Sequence, residues 1–166
     1  MNNEDTVKTQ TRRPHRIFLS STSKDLSVHR AKLLEVLARD GQLSIAMEYF
    51  GAQDGDAMQV SLAEVGKADV FVGVVAWRYG YIPDGETRSV THLEYEEAKR
   101  LNLPRYIFLA DPLTAANEGQ DAIFPSNLRD PENYALLMRF RSELETDRVV
   151  DWFSSADDLE TVWKAV

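Results

Sequence analysis

The sequence predicts one α/β domain with a three-layer α-β-α arrangement, in which helices cover both faces of a five-stranded parallel sheet. Short apolar segments rich in β-branched and aromatic residues alternate along the chain with segments of helical periodicity. The segment DVFVGVVA at 69–76 is apolar without alternation, as expected for a central strand buried on both faces. The length of 166 residues fits one domain, since domains contain roughly 100–200 residues.

Five segments have the composition of strands. They are RIFLS at 16–20, LSIAM at 43–47, DVFVGVVA at 69–76, RYIFLA at 105–110 and RVVDWF at 148–153. The polar residues 1–15 in front of them contain no apolar stretch of the kind found in a signal peptide. We therefore expect a disordered leader at 1–15 and a single domain at 16–166.

Helical periodicity separates these strands. The first helix is predicted from about Ser23 or Asp25 to Arg39, with capping residues in front and Gly41 behind. The other helices are predicted near 57–67, in SVTHLEYEEA at 89–98, near 132–145, and after the capping residues Ser154 and Ser155. The last helix still continues at Val166, which suggests a chain cut from a longer protein or a tail that is lost here.

Composition excludes several classes of function. The net charge of -8 disfavours duplex nucleic acid or an anionic membrane as the main partner. The absence of cysteine excludes disulfides, thiolate metal sites and a cysteine nucleophile. Because no stretch approaches the roughly eighteen apolar residues of a membrane span, we expect a cytoplasmic protein.

Polar loops follow the predicted strands at the edge where an open α/β sheet binds its ligands. They are SSTSKD, EYFGAQDGD, WRYGYIPDGETRS and a connection of about twenty residues from Asp111 to Asp130. This last connection is a lid, a partner-binding loop or a mobile segment. We expect the ligand site among these loops.

One glutamate of SVTHLEYEEA differs from its neighbours. On a helical wheel of about 100° per residue, Glu94 falls on the same arc as Tyr95 and Ala98. Glu96 falls on the opposite side, and Glu97 lies near the border. A carboxylate in the first turn that faces the sheet is costly unless it is paired or used. Its structural alternative is a capping or helix-dipole carboxylate that faces a neighbouring loop.

Arg30 lies in the same way on the apolar arc of the first helix. A guanidinium that points inward needs an acceptor, and either Glu48 or Glu94 would serve. The alternatives without function are a side chain that reaches out to solvent and a plain Arg30 to Glu48 ion pair.

Residue types exclude several familiar sites. The loop SSTSKD contains no glycine, so it is neither a P-loop nor a dinucleotide-binding turn, and a flavin site would also require one. A response regulator would carry an aspartate at the end of the third strand, where this chain has Ala76 and Trp77. No base accompanies Ser20 or Ser21 for hydrolysis by a triad. His15, His29 and His92 lack metal-ligand spacing and are predicted to lie on the surface, so no metal site is expected.

The stretches IFLSSTSKDL, AMEYF, RYGYIPDG and SVTHLEYEEA, together with Arg30, resemble a known family. It is the uncharacterised domain at the N-terminus of NACHT or tetratricopeptide-repeat signalling proteins of the STAND type, which is related to Toll/interleukin-1 receptor (TIR) domains and nucleoside deoxyribosyltransferases. The resemblance covers roughly residues 16–110. It implies the flavodoxin-like or TIR-like strand order 2-1-3-4-5.

The resemblance also implies a chemistry. Enzymatic TIR domains cleave the nicotinamide glycosidic bond of NAD, and deoxyribosyltransferases attack the anomeric carbon of a nucleoside. Both place a glutamate where this chain has Glu94, and a carboxylate suits their oxocarbenium-like transition state. The expected substrate-binding residues are Ser20, Ser21, Thr22, Asp25, Arg30, Glu48, Arg78, Tyr79, Gly80 and Thr91. No cofactor is expected.

Two functions from different classes follow. The first is a nucleotide N-glycosidase, in particular an NAD glycohydrolase acting in signalling or innate immunity, and the inward Glu94 favours it. The second is a non-catalytic module that self-associates or docks other domains of a parent protein. The loop after the second strand, which does not match the corresponding TIR loop, favours this second function.

Overall fold

Five parallel strands form the centre of the structure, in the spatial order β2-β1-β3-β4-β5. The computed structural model describes residues 13–49, 56–112 and 130–165. The strands are β1 (Arg16–Ser21), β2 (Leu43–Ile45), β3 (Val70–Val75), β4 (Arg105–Ala110) and β5 (Val150–Phe153). Every pairing between neighbouring strands is parallel. The predicted parallel sheet and its order 2-1-3-4-5 are confirmed.

Helices cover both faces of this sheet. They are α1 (Ser27–Arg39), α2 (Ala57–Val65), α3 (Val90–Arg100), α4 (Tyr134–Asp147) and α5 (Ala156–Lys164). Leu33 of α1 and Leu159 of α5 belong to the core on one face. Val65 of α2, Tyr95 of α3 and Phe140 of α4 belong to the core on the other. The predicted three-layer arrangement is therefore confirmed.

The alternation of side chains along β1 shows how one strand serves two cores. Ile17 and Leu19 contribute to the core under α1 and α5. Phe18, between them, contributes to the core under the other three helices. Both faces of a central parallel strand are buried, so every position can be apolar.

The start of α1 differs from its prediction. The helix begins at Ser27, and its N-cap residue, Leu26, makes no capping hydrogen bond through its side chain. Asp25 does not cap it, because its carboxylate accepts hydrogen bonds from the hydroxyl of Thr22 and the backbone N–H of Trp77. The polar residues before α1 therefore hold the loop after β1 to the loop after β3.

Other boundaries shift by a few residues. Helix α2 ends at Val65 rather than near 67, because the backbone N–H groups of Lys67 and Ala68 bond three residues back instead of four, to the carbonyls of Glu64 and Val65. Helix α4 begins at Tyr134 rather than near 132. The predicted cap of the last helix is confirmed, since the Ser155 hydroxyl accepts from a backbone N–H of α5.

The prediction of three surface histidines is wrong for two of them. His29 and His92 are buried, whereas His15 is exposed. His29 lies against the Phe153 ring, with centroids 5.4 Å apart, and His92 stacks on Phe140 at 4.1 Å. Both histidines occupy inner faces of their helices, where an imidazole can pack as an aromatic ring.

Several predicted segments lie outside the described residues, wholly or in part. Most of the leader at 1–15, part of the loop after β2 and most of the connection from 111 to 130 belong to them. Among the helices that the structure describes, none is both long and apolar enough to span a bilayer.

Candidate active site

A cavity of about 1050 Å³ opens at the carboxyl ends of β1 and β3. Its walls come from the loops after the first three strands, the starts of α2 and α3, and the residues just before α4. The predicted site residues that line it are Ser21, Thr22, Arg30, Glu48, Arg78, Gly80, Thr91 and Glu94. This is the edge at which open parallel sheets bind ligands, because the strand order reverses between β1 and β3.

Glu94 is the buried carboxylate of this cavity. Its residue is only 4% exposed. The Ser20 hydroxyl donates to Glu94 Oε2 at 2.5 Å, and the Ser61 hydroxyl donates to Oε1. Two hydroxyl donors fit an ionised carboxylate that keeps further lone pairs for a ligand.

The capping alternative for Glu94 does not fit its position. Helix α3 begins at Val90, so Glu94 is the fifth residue of the helix and lies beyond the first turn. The Ser89 hydroxyl accepts from His92 N–H and provides the cap. Glu94 therefore carries out no helix-end role that would explain a buried charge.

Burial raises the pKa of the Glu94 carboxyl above its ordinary value. The hydrogen bonds from Ser20 and Ser61 and the positive charge of Arg30 act in the opposite direction. The ionised form thus depends on these three groups, since removal from water disfavours a charge.

Arg30 pairs with Glu48 rather than with Glu94. Its Nε and Nη2 atoms donate to the two Glu48 oxygens, each at 2.6 Å, in a bidentate ion pair. Its Nη1 atom donates to the Ser21 hydroxyl at 2.7 Å. The bidentate bond from the guanidinium holds the pKa of Glu48 below its ordinary value. Arg30 thereby links the end of β1 to the residues that follow β2, on two walls of the cavity.

The three residues predicted for the cavity wall after β3 do not all lie at the cavity. Arg78 and Gly80 line the cavity. The Tyr79 side chain instead lies in the core, 2% exposed, with its hydroxyl 2.9 Å from His92 Nδ1. The expected contact of the Tyr79 side chain with a substrate is therefore corrected, because its ring packs edge-on against Phe140 in the core under α4.

Ser20 and Asp25 support the cavity rather than line it. Ser20 is 1% exposed and reaches the site through its bond to Glu94. Asp25 is 4% exposed, and burial raises the pKa of its carboxyl. Its bonds to Thr22 and Trp77 join the loops on either side of the site.

Ser61 is the site residue that the sequence analysis missed. It lies on the inner face of α2, three residues after Met58 and four before Val65, both of which are buried. The same wheel that singled out Glu94 would have shown a polar residue on this apolar face. Residues Asp130, Glu132 and Asn133, at and just after the end of the long connection predicted at 111–130, also line the cavity and were not predicted as site residues.

The fold and this site define a doubly wound α/β domain with a buried carboxylate at the carboxyl ends of its strands. The family described as "Domain of unknown function (DUF4062)" matches residues 16–166, so the chain belongs to that family. A structural likeness is found to the TIR domains in the activated Roq1 resistosome that directly recognizes the pathogen effector XopQ. It has 17% sequence identity and a TM-score of 0.45, and it covers 81% of this chain and 75% of the other. No curated protein matches the sequence.

Proposed function

We propose that this domain cleaves the N-glycosidic bond of NAD or a related nucleotide, with Glu94 as the catalytic carboxylate. One observation carries the proposal. Glu94 is buried at the wall of a cavity of about 1050 Å³, and two serine hydroxyls hold its oxygens. Among the described residues, neither an ion pair nor a helix cap accounts for this charge.

The chemistry follows from the charge that develops at the sugar. As the bond between the anomeric carbon and the base nitrogen breaks, its electron pair leaves with the base. The sugar becomes an oxocarbenium ion, which an adjacent carboxylate stabilises or captures as an ester. Water then supplies the hydroxyl at the anomeric carbon and releases a proton, and Glu94 is again a free carboxylate.

The cavity has room for such a substrate. Ligand sites commonly enclose roughly 300–1,000 Å³, so about 1050 Å³ accommodates a nucleotide. Ser21, Thr22 and Thr91 offer hydroxyls to a ribose, and Lys24 and Arg78 offer positive charge to phosphate groups. We assign these residues, with Arg30, Glu48 and the Gly80 backbone, to substrate binding.

The second candidate is a module that self-associates or docks other domains of a parent signalling protein of the NACHT or tetratricopeptide-repeat type. It is favoured by two apolar side chains one turn apart on the outer face of α4. Tyr134 is 55% exposed and Met138 is 40% exposed. Such side chains serve as anchors at protein interfaces.

Release of the base from NAD tests the catalytic role, measured at high protein concentration and with a forced oligomer. The Glu94→Gln variant should lose activity by about a hundredfold or more, because the amide cannot stabilise positive charge. Glu97→Gln is the matched control on the same helix. Glu97 lies at the outer border of α3, bonded to Arg100, and its variant should act like the wild type.

Equal release by the wild type and Glu94→Gln would remove the catalytic role. No release from any wild-type preparation, combined with concentration-dependent association in light scattering, would favour the interaction module. Activity of the wild type should also fall as the pH is lowered through the raised pKa of Glu94, since the ionised form is required.

A further inference from the structure

A second cluster of polar side chains lies between α3 and α4, away from the residues that line the cavity. At its centre is His92, which is 7% exposed. Its Nδ1 atom is 2.9 Å from the Tyr79 hydroxyl. Its Nε2 atom is buried and has no hydrogen-bond partner among the residues that the structure describes. A buried polar atom of this kind calls for a ligand or a structural reason.

Two carboxylates converge on that nitrogen. Glu143 Oε2, from α4, is 3.2 Å from His92 Nε2, and Glu96 Oε1, one turn further along α3, is 4.0 Å from it. The Glu143 oxygen lies close to His92 Nε2, but the pair does not have the geometry of a hydrogen bond. One nitrogen and two carboxylate oxygens thus surround a common point.

We propose that His92, Glu96 and Glu143 bind a divalent transition-metal ion such as Zn²⁺ between α3 and α4. Metal bonds of roughly 2.0–2.2 Å place tetrahedral ligand atoms about 3.4 Å apart. The three donor atoms here lie within 4.8 Å of one another. Both carboxylates are about a third exposed and can rotate to complete the site. A fourth position remains for water.

The donor set selects the class of metal. Imidazole nitrogen combined with carboxylate oxygen suits Zn²⁺ and its first-row neighbours, whereas Ca²⁺ and Mg²⁺ prefer oxygen alone. The unprotonated imidazole ring of His92 has one ring nitrogen with a lone pair to offer, and the buried Nε2 atom faces the two carboxylates. Arg88 balances one of the two carboxylate charges, and the remaining negative charge favours a dication.

Tyr79 completes the site as a positioning residue. When Nδ1–H donates to the Tyr79 hydroxyl, the lone pair of Nε2 faces the two carboxylates. Outer hydrogen bonds of this kind orient the histidine ligands of metals and commonly change affinity by about 10 to 100-fold. Arg88 holds the other Glu96 oxygen, Oε2, at 2.6 Å and leaves Oε1 directed toward the site.

Calorimetric titration with Zn²⁺ near neutral pH, on chelator-treated protein without an affinity tag, tests the proposal. The wild type should bind one ion per chain, and Glu143→Gln should weaken binding at least about tenfold. The matched control is Glu145→Gln, an exposed position on the same helix that should bind like the wild type. Equal affinity in these two variants, or no binding by the wild type, would overturn the site.

Two further readouts keep the test valid if a variant is unstable. Co²⁺ in an imidazole and carboxylate site should show visible absorption in the wild type and not in Glu143→Gln. Tyr79→Phe keeps the aromatic ring and removes only the hydroxyl, so it should weaken Zn²⁺ about tenfold while circular dichroism stays unchanged. Unaltered Zn²⁺ affinity in both Tyr79→Phe and Glu96→Gln would contradict the assignment.

Discussion

Glu94 has a carboxyl group that the fold keeps away from water, and two hydroxyls and one guanidinium favour its ionised form. Ser20 and Ser61 bind its oxygens, and Arg30 adds a favourable potential. A buried ionisable group of this kind lowers stability and persists where it serves function. Its neighbour Glu97 has the opposite environment, because Arg100 lowers the pKa of the Glu97 carboxyl.

These two glutamates should give opposite pH dependences of stability. The pKa of Glu94 is raised in the folded protein above its ordinary value of 4.5. The wild type should therefore lose stability relative to Glu94→Gln as the pH rises from about 4.5 through the raised pKa. Every tenfold change in the acid dissociation constant on folding corresponds to about 1.4 kcal/mol. Thermal unfolding of both proteins across this pH range measures the difference.

Glu97→Gln provides the control with the opposite sign. The pKa of Glu97 is lowered, so its contribution is present above 4.5 and is lost as the pH falls through the lowered value. Glu97→Gln should be less stable than the wild type at neutral pH and equal to it in acid. A difference in stability between the wild type and Glu94→Gln that does not change with pH would contradict the argument that burial raises the pKa of Glu94.

At the scale of elements, the loops after β1 and β3 are held together at Gly80. Its φ of +96° is a conformation that side chains disfavour. A Cβ added there would lie 3.0 Å from Thr22 Cγ2. The two loops therefore approach closely because this residue has no side chain, and the approach shapes one wall of the cavity.

Comparison of two glycine variants isolates this contact. Gly80→Ala should lower the free energy of unfolding by about 1–3 kcal/mol, from backbone strain and from the contact with Thr22. Gly85 also has a positive φ, of +82°, but a Cβ added there meets no atom within 4 Å. Gly85→Ala should cost only about 1 kcal/mol. Denaturant unfolding measures both, and equal losses would show that the close approach does not matter.

At the scale of the whole molecule, Arg141 links α4 to the sheet. The residue is 2% exposed, and its Nη1 and Nη2 atoms donate to the carbonyls of Ala76 and Ala110 at 2.9 and 2.6 Å. Its guanidinium carbon lies 5.1 Å from the centroid of the Trp77 ring. The planar guanidinium of Arg141 thus bonds to carbonyls at the carboxyl ends of β3 and β4 and packs on an aromatic side chain.

Arg141→Lys should therefore weaken the whole fold. A single ammonium cannot bond both carbonyls and stack on the indole, so we expect a loss of about 1–3 kcal/mol in the free energy of unfolding. Arg139→Lys, an exposed position on the same helix, should change it by less than about 0.5 kcal/mol. The midpoints of denaturant unfolding test this prediction. Coincident midpoints for the two variants would contradict the role of Arg141 in linking α4 to the sheet.

Much of the fold was predictable because its signals are local. The apolar segments of β1, β3 and β4 and the periodicity of α3 mark elements without knowledge of their neighbours. The start of α1 was less accurate, since a competing hydrogen bond from a distant residue decides it, and the end of α2 depends on a local turn after Val65. Asp25 is the example, because Trp77 N–H takes the carboxylate that would otherwise cap α1.

The candidate site was predictable in part for the same reason. A helical wheel places Glu94 and Arg30 inward, because both are exceptions on an apolar face. The partners of these residues are distant in sequence, and local patterns in the sequence do not predict them. Ser61 bonds to Glu94 across 33 residues, and Arg30 bonds to Glu48 across 18 residues.

The sequence by itself determined the class of fold, the sheet at its centre and the inward direction of Glu94, because side-chain periodicity is a property of each element. Only the tertiary structure decided which groups meet at the ends of the strands. It brought Ser20 and Ser61 to Glu94, turned Tyr79 into the core, and set His92 against Glu143. Such contacts depend on how separate elements pack, and packing joins residues that the chain keeps far apart.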